Sequence, residues 1–454
     1  MANVYRTLIV IISLVAAAAR AAEPAAEAPA RPLSAAAEYQ RRVELVTGIP
    51  GLAAFWDFVE RDGGSGGDGH FLARTAVAGE RRYPLMPWNI SRAYWNEGEE
   101  ATMADFPLLG RGPFGQAVQF RDPRRIDDLP VLMVPRKLMH DTPLDVKGPG
   151  KSVSMVVWMV YQGGDHAIGG IWHEGTDTKP TGAPAVVRVR GQRQYGMFAG
   201  LGANLGASSA HVSENGLSSF GDRYARHLAV TPEKMIPVKG KDVDGKNDAD
   251  WSTVGFVYDN AAKTVTAYLD GQATPNWVEQ PGKKGFYAFA VKAWEQGRYA
   301  RLPGEQAGED PEFPADQRYC PPELTPLEER VESDAPDRRV VLRVYEFTKV
   351  RVTLVPAADG TMKELPEAEL VALKVNPYWF GHDLFSPASA EVGGPFTLGR
   401  VIHSNRHPTL SAWFGGAAVY ARPLGPEEMA RLARLDRPAG MPMALEGHAV
   451  GDSR

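Results

Sequence analysis

His403, Asn405, Arg406 and His407 lie together in Val401-Ile-His-Ser-Asn-Arg-His407, and a further histidine, His173, follows Trp172 in Ile168-Gly-Gly-Ile-Trp-His-Glu174. A His or Tyr base beside a charge-neutralising Arg, Asn or Gln is the equipment of a lyase. The same groups can hold a ligand, and the alternative for the 403–407 group is a hydrogen-bonded loop that positions Trp413. His-x-x-x-His at 403 and 407 would suit a metal on a helix, but Asn405 and Pro408 argue for a loop. Asp242, Asp244, Asp248 and Asp250 crowd into Lys241-Asp-Val-Asp-Gly-Lys-Asn-Asp-Ala-Asp250. Hard oxygen ligands at that density could hold Ca²⁺, but the glycine comes too early for an EF-hand and no glutamate closes the loop. A solvated turn is the competing reading. Carboxylates two residues apart share one face of a strand, and they occur at Glu60-Arg-Asp62 and Glu332-Ser-Asp334. Gly63-Gly-Ser65 and Ala335-Pro-Asp337 follow them, and no apolar strand flanks either.

The elements that must position these groups are mostly strands. Val153–Tyr161, Ile168–His173, Ala185–Arg190, Tyr195–Gly200, Trp251–Tyr258 and Thr264–Leu269 are short, β-rich and separated by Gly and Asp turns. Val187 and Val189 alternate with Arg188 and Arg190, as on a half-exposed strand. Asp270-Gly271 marks a tight turn. Residues 80–113, with Trp88, Tyr94 and Trp95 among polar neighbours, read as a long loop over one edge. Pro426 opens a short closing helix at a position where its missing N–H is harmless. Glu427 and Glu428 complement that helix's dipole, while Met429 and Leu432 share the face that docks. The pattern predicts two antiparallel sheets packed face to face.

Several stretches in order resemble the LamG-type, concanavalin A-like lectin/glucanase family. They are Gly51-Leu-Ala-Ala-Phe-Trp-Asp-Phe58, Gly115-Gln-Ala-Val-Gln-Phe120, Lys151-Ser-Val-Ser-Met-Val-Val-Trp158, the hairpin from Trp251 to Gly271, and Phe396-Thr-Leu-Gly-Arg400 with Trp413–Tyr420. The resemblance implies an all-β concanavalin A-like β-sandwich, or jelly roll, with a short C-terminal helix. It also implies Ca²⁺ as the usual ion. Glycosidases of this superfamily carry a strand motif E-x-D-x-E or E-x-D-x-x-E, with two carboxyls about 5–5.5 Å apart as nucleophile and acid/base. The chain lacks that motif, which argues against this hydrolase class. More than a hundred residues separate Gln272 from Pro395, so the family pattern is interrupted by an insertion at about 276–394. Its polar part, from Glu305 to Arg338, reads as loop, and its alternating part, with Val350, Val352 and Leu354 and then Val371, Leu373 and Val375, reads as strands. They either lengthen the sandwich sheets or form a small subdomain.

The chain has 454 residues, a formal charge of −5 and one cysteine, Cys320. A single cysteine excludes an intramolecular disulfide. No basic patch points to nucleic acid. Arg6, the apolar run Leu8–Ala19 and Ala19-Arg-Ala21 read as a signal peptide over residues 1–21. The run is shorter than the about 20 residues a spanning helix needs. An Ala/Pro-rich spacer with a short helix covers 22–48, the sandwich 49–435 and a tail 436–454. The expectation is a secreted, periplasmic or cell-surface binding module for carbohydrate or an extracellular protein, with no transmembrane segment after cleavage. Two alternatives stand beside it: a polysaccharide-degrading enzyme, lyase more than hydrolase, and a structural or adhesion protein. Trp172, Trp277, Trp294 and Tyr378-Trp-Phe380 are the aromatic candidates for stacking on sugar rings, with Trp158 and Trp413 assigned to the core.

Overall fold

A computed structural model describes residues 34–63, 69–121, 128–164, 167–174, 191–200, 206–216, 228–232, 251–284, 287–300, 319–402 and 410–435. The strands of its sandwich pair antiparallel in two curled sheets that face each other. In the first sheet the order is Phe71–Arg74, Leu52–Trp56, Ser411–Tyr420, Val153–Gly163, Ser252–Asp259, Thr264–Leu269 and Tyr378–Trp379, with Ala117–Phe120 also pairing to Ser411–Tyr420. The second runs Pro130–Val134, Phe396–Leu398, Ala167–Ile171, Tyr195–Ala199, Ser208–Val212 and Leu228–Val230. Strand alternation sets the sandwich interior. Trp56, Met155, Val157 and Phe256 of the first sheet face Leu132, Phe396, Leu398, Met197 and Val212 of the second. Trp56 stacks on Phe396 with ring centroids 5.1 Å apart.

Strand Arg81–Asn89 joins the sheets. Its first half pairs with Phe71–Arg74 and its second half with Pro130–Val134. Each half therefore has one open side, which tolerates the missing N–H groups of Pro84 and Pro87. This replaces the single long loop expected at 80–113. The segment is a strand, a short helix Ile90–Trp95, a 3₁₀ turn Met103–Asp105 and a two-residue strand Leu108–Leu109.

The closing segment behaves as its residues dictate. Helix Pro426–Ala433 buries Met429 and Leu432, and the Leu432 carbonyl accepts from Trp158 Nε1 at 3.0 Å. Helix Ala35–Thr47 covers the same outer face of the first sheet with Tyr39, Val43 and Val46. Gly399 has φ +83°, and a Cβ there would lie 1.9 Å from the Phe120 ring. Arg400, 1% exposed, donates to the carbonyls of Arg121 and Pro130 at 2.6 and 3.0 Å. The Leu-Gly-Arg sequence is thus a close approach followed by a carbonyl clamp. Asp270 and Gly271 both have positive φ, 49° and 75°, and Asp270 Oδ1 accepts the Thr253 N–H at 2.8 Å. Two adjacent left-handed residues are what a tight hairpin turn requires.

The stretch expected to be an insertion contributes the strands of a separate five-stranded antiparallel sheet: Asn276–Glu279, Met362–Asn376, Thr348–Pro356, Arg338–Val344 and Glu328–Ala335. The last strand lies in the stretch expected to be loop, and all eight of its residues are exposed. Its hydrogen-bonded partner strand explains it: Arg339 pairs with Asp334 and Arg343 with Glu329, which suits a polar edge. Helix Ala288–Ala300 is tied to this sheet, with Arg298 reaching Glu323 and Glu364 at 2.7 Å each. Among the described residues no helix is long and apolar enough to cross a membrane.

Candidate functional site

The outward face of the second sheet collects the polar and aromatic candidates. Along its strands Leu132, Met197, Ala210 and Val212 point into the sandwich, so Val131, Phe198 and His211 point out. Trp172 follows strand Ala167–Ile171 on this face. It is 2% exposed. Its ring meets His211 at 4.4 Å and Phe198 at 5.6 Å, and the Arg193 guanidinium lies 5.6 Å from its centroid. That packing closes Trp172 off, and an open stacking platform is not what it forms. Trp294, Tyr378 and Phe380 are likewise at most 1% exposed, and only Trp277 and Trp379 of the aromatic candidates are half-buried.

His173 is positioned by an isolated bridge to Ile402. The Ile402 N–H donates to the Trp172 carbonyl at 3.2 Å, and the Glu174 N–H donates to the Ile402 carbonyl at 2.9 Å. His403, Asn405, Arg406 and His407 follow directly and lie outside the described residues, as do Asp242, Asp244, Asp248 and Asp250. Of that stretch the structure describes only Val401 and Ile402, and Ile402 is the residue bridged to His173.

The His173 ring contacts a residue that periodicity did not single out as a site. Its Nε2 lies 2.5 Å from the Tyr94 hydroxyl, and its Nδ1 is buried with no hydrogen-bond partner among the described residues. Burial, and then the Arg193 charge, push the imidazole down to about 4. Burial pushes the Tyr94 phenol up to about 12. Both groups are therefore neutral at pH 7, and the two affinities differ by far too much for easy proton exchange. Efficient acid–base catalysis needs values near the working pH.

Tyr94 belongs to an aromatic cluster with Trp88 at 5.8 Å and Trp95 at 6.1 Å. The turn that presents them is built by Asn89. Its Oδ1 accepts the N–H groups of Ser91 and Leu129 at 2.9 and 3.1 Å, and its Nδ2 donates to the Glu99 carbonyl at 2.8 Å. The helix stops at Asn96, left-handed at φ 55°. Beside this turn lies a cleft of about 290 Å³ lined by Pro87, Trp88, Asn89, Arg92, Ala93, Glu100 and Ala101. Arg92 and Glu100 are exposed and have no ion-pair partner among the described residues. An indole wall with a guanidinium and a carboxylate at its margin can stack on an apolar ring face and hydrogen-bond its polar edge.

The paired carboxylates are occupied elsewhere. Glu60 faces Arg74 and Arg81 at 3.2 and 3.5 Å, and Asp62 faces His70 at 3.0 Å. Glu332 pairs with Arg351 and Asp334 with Arg339. His140, Asp141 and Asp145 have metal-ligand chemistry and lie within 4.8 Å of one another. The Lys147 ammonium already binds both aspartates, at 2.7 and 2.6 Å, and Arg136 grips Asp145 at 2.7 and 2.8 Å. Two resident cations fill that donor set, so it does not fit a metal ion.

The Tyr94–His173 pair predicts an acid-sensitive fold. A histidine lowered from 6.5 to about 4 contributes stability that is full above pH 6.5 and is lost as pH falls through 4. The shift corresponds to up to about 3 kcal/mol. Urea unfolding of wild type and His173→Gln between pH 7.5 and 4 should show the wild type losing this increment relative to the variant. A difference independent of pH would contradict it.

At this point the class is defined: an all-β sandwich with an aromatic cleft at the margin of one sheet. No protein-family model matches the chain, and no curated protein sequence matches it. Among solved structures it is similar to the botulinum neurotoxin serotype D ligand binding domain in complex with N-acetylneuraminic acid. The identity is 6% and the TM-score 0.32, over 87% of this chain and 52% of that one. The botulinum neurotoxin serotype G binding domain is similar at 7% identity and a TM-score of 0.31, over 85% and 51%. The binding domain of Paraclostridial Mosquitocidal Protein 1 stands at 7% and 0.27, over 72% and 45%. The chain spans about half the length of these structures, and likeness at this level says nothing about ligands.

Proposed function

We propose that this protein is an exported, non-catalytic carbohydrate-binding β-sandwich of the LamG, concanavalin A-like type. The observation that carries the reading is the cleft beside Trp88, which an indole lines together with a guanidinium and a carboxylate that have no ion-pair partner among the described residues. Sugar recognition uses this combination of one apolar ring contact and a few placed polar groups. The LamG type is supported by the placement of the resembling stretches: each contributes a strand to the sandwich, and the closing helix docks on its outer face. A glycan array probed with the mature protein should give ligands, and reducing-end and unsaturated-product assays on those ligands should stay at background. Turnover of any bound glycan would overturn the non-catalytic half of the proposal.

A lyase is the second reading, and the Tyr94–His173 contact is what favours it. Against it stand the two shifts, which hold the proton on the phenol and leave neither member of this pair poised near neutrality. Export rests on the apolar run between Arg6 and Ala19-Arg-Ala21. N-terminal sequencing of protein recovered from its native source should begin near Ala22 or Glu23, and an intact Met1 on the mature chain would rule cleavage out.

A further inference from the structure

The five-stranded sheet of the insertion carries a second aromatic position, remote in sequence from Trp88 and without a role in the reading above. Strand Asn276–Glu279 forms one edge of this sheet. Val278 packs into the core, so alternation places Trp277 and Glu279 on the opposite face. Trp277 is half-buried there. Lys374 is its direct cross-strand partner, and Lys349 and Glu279 both pair with Ala372, which puts all of them on one face.

Two ammonium groups gather at the indole. Lys349 Nζ lies 4.9 Å and Lys374 Nζ 5.6 Å from the Trp277 ring centroid. Lys374 Nζ is also 5.9 Å from the Phe347 ring, so two aromatic rings hold its position. The charges are not balanced. Glu279 is taken by Lys349 at 2.8 Å, and Lys374 has no carboxylate partner among the described residues. The result is a positive charge, without a carboxylate partner among the described residues, fixed against an aromatic surface.

We infer that Trp277, Lys349 and Lys374 form a binding site for an anionic sugar, carboxylated or sulfated. Its acidic group would meet the ammoniums while the ring's C–H face lies against the indole. A neutral sugar would gain only the second contact, and an inorganic anion only the first. The site thus requires charge and ring in one molecule. It stands independently of the Trp88 cleft, and the test separates the two.

Full-length mature protein would be titrated with a polygalacturonate oligomer and with sulfated dextran, with neutral dextran as control, at low and at high salt. At least one acidic polymer should bind in a salt-sensitive way and neutral dextran should not compete. Trp277→Ala and Lys374→Gln should each weaken that binding by roughly fivefold or more, since each removes one of the two contacts. Lys374→Arg should restore it, and Trp88→Ala should leave it unchanged. Both changes lie on a partly exposed face, and an unaltered thermal transition would confirm that the variants are folded. No binding of either acidic polymer at low salt would overturn the inference. So would full affinity in Trp277→Ala or Lys374→Gln, and loss in Trp88→Ala alone would move the acidic ligand to the cleft.

Discussion

A fragment ending at Gly394 should show no cooperative thermal transition. The missing residues include the centre of both sheets. Ser411–Tyr420 lies between Leu52–Trp56 and Val153–Gly163 in the first sheet and also carries Ala117–Phe120. Phe396–Leu398 lies between Pro130–Val134 and Ala167–Ile171 in the second. Deletion would expose unpaired strand edges on five neighbours and open the interior where Phe396, Leu398, Phe414, Ala417 and Val419 are buried. Exposed edges and a broken apolar core both favour aggregation over folding. The covering helix would go too, and Tyr420, whose hydroxyl donates to the Val46 carbonyl, would no longer hold helix Ala35–Thr47. Calorimetry on the fragment 22–394 should therefore give a flat trace or precipitation. A sharp endotherm would mean that the two ends of the chain do not share one sandwich.

Asp145→Ala is expected to be the most damaging single substitution among the polar residues. The Asp145 side chain has no exposed surface. It receives Arg136 through two nitrogens, Lys147, the Asp141 N–H at 3.1 Å and Gln194 Nε2 at 3.3 Å. Burial by itself would raise the carboxyl, but Lys147, the Asp141 N–H and Arg136 together hold it below its usual 3.8. Removing it leaves the Arg136 guanidinium largely buried without its anion. Breaking such a pair from one side costs about 3–5 kcal/mol. Chemical denaturation should show that loss at pH 7. Because the folded value is depressed, the contribution is present above pH 3.8 and fades only as acid takes the pH through the folded value. A loss under about 1 kcal/mol would place this network among ordinary surface pairs.

The sandwich was legible because its strands alternate and its turns carry the residues that turns need. Asp270-Gly271 and the helix opened by Pro426 declare themselves locally, and the structure places both as read. The segment 80–113 did not, because Pro84 and Pro87 argue against a strand. Their tolerance depends on which side of each half is paired, a property of the sheet and not of the segment. Glu328–Ala335 looks like loop by residue type for a similar reason: its polar residues are stabilised by arginines from neighbouring strands. Of the site, His173 was visible as a polar residue beside a strand end, but its partner Tyr94 lies 79 residues away in sequence. The N-cap pattern Asn89-Ile-Ser91 was the one local signal for the turn that carries Tyr94. Trp172 shows the limit of residue type. An indole that could serve as a platform is closed by His211 and Arg193, neither of them near it in sequence.

The central claim, that the cleft beside Trp88 binds carbohydrate, is tested most directly by calorimetric titration of the strongest glycan-array ligand. Wild type and Trp88→Ala would be compared, with the β-sheet circular dichroism of both recorded. Loss of the stacking surface should weaken binding by about tenfold or more, equivalent to about 1.4 kcal/mol, while the fold is retained. Equal affinity in the folded variant would show that the ligand does not occupy this cleft and would contradict the account.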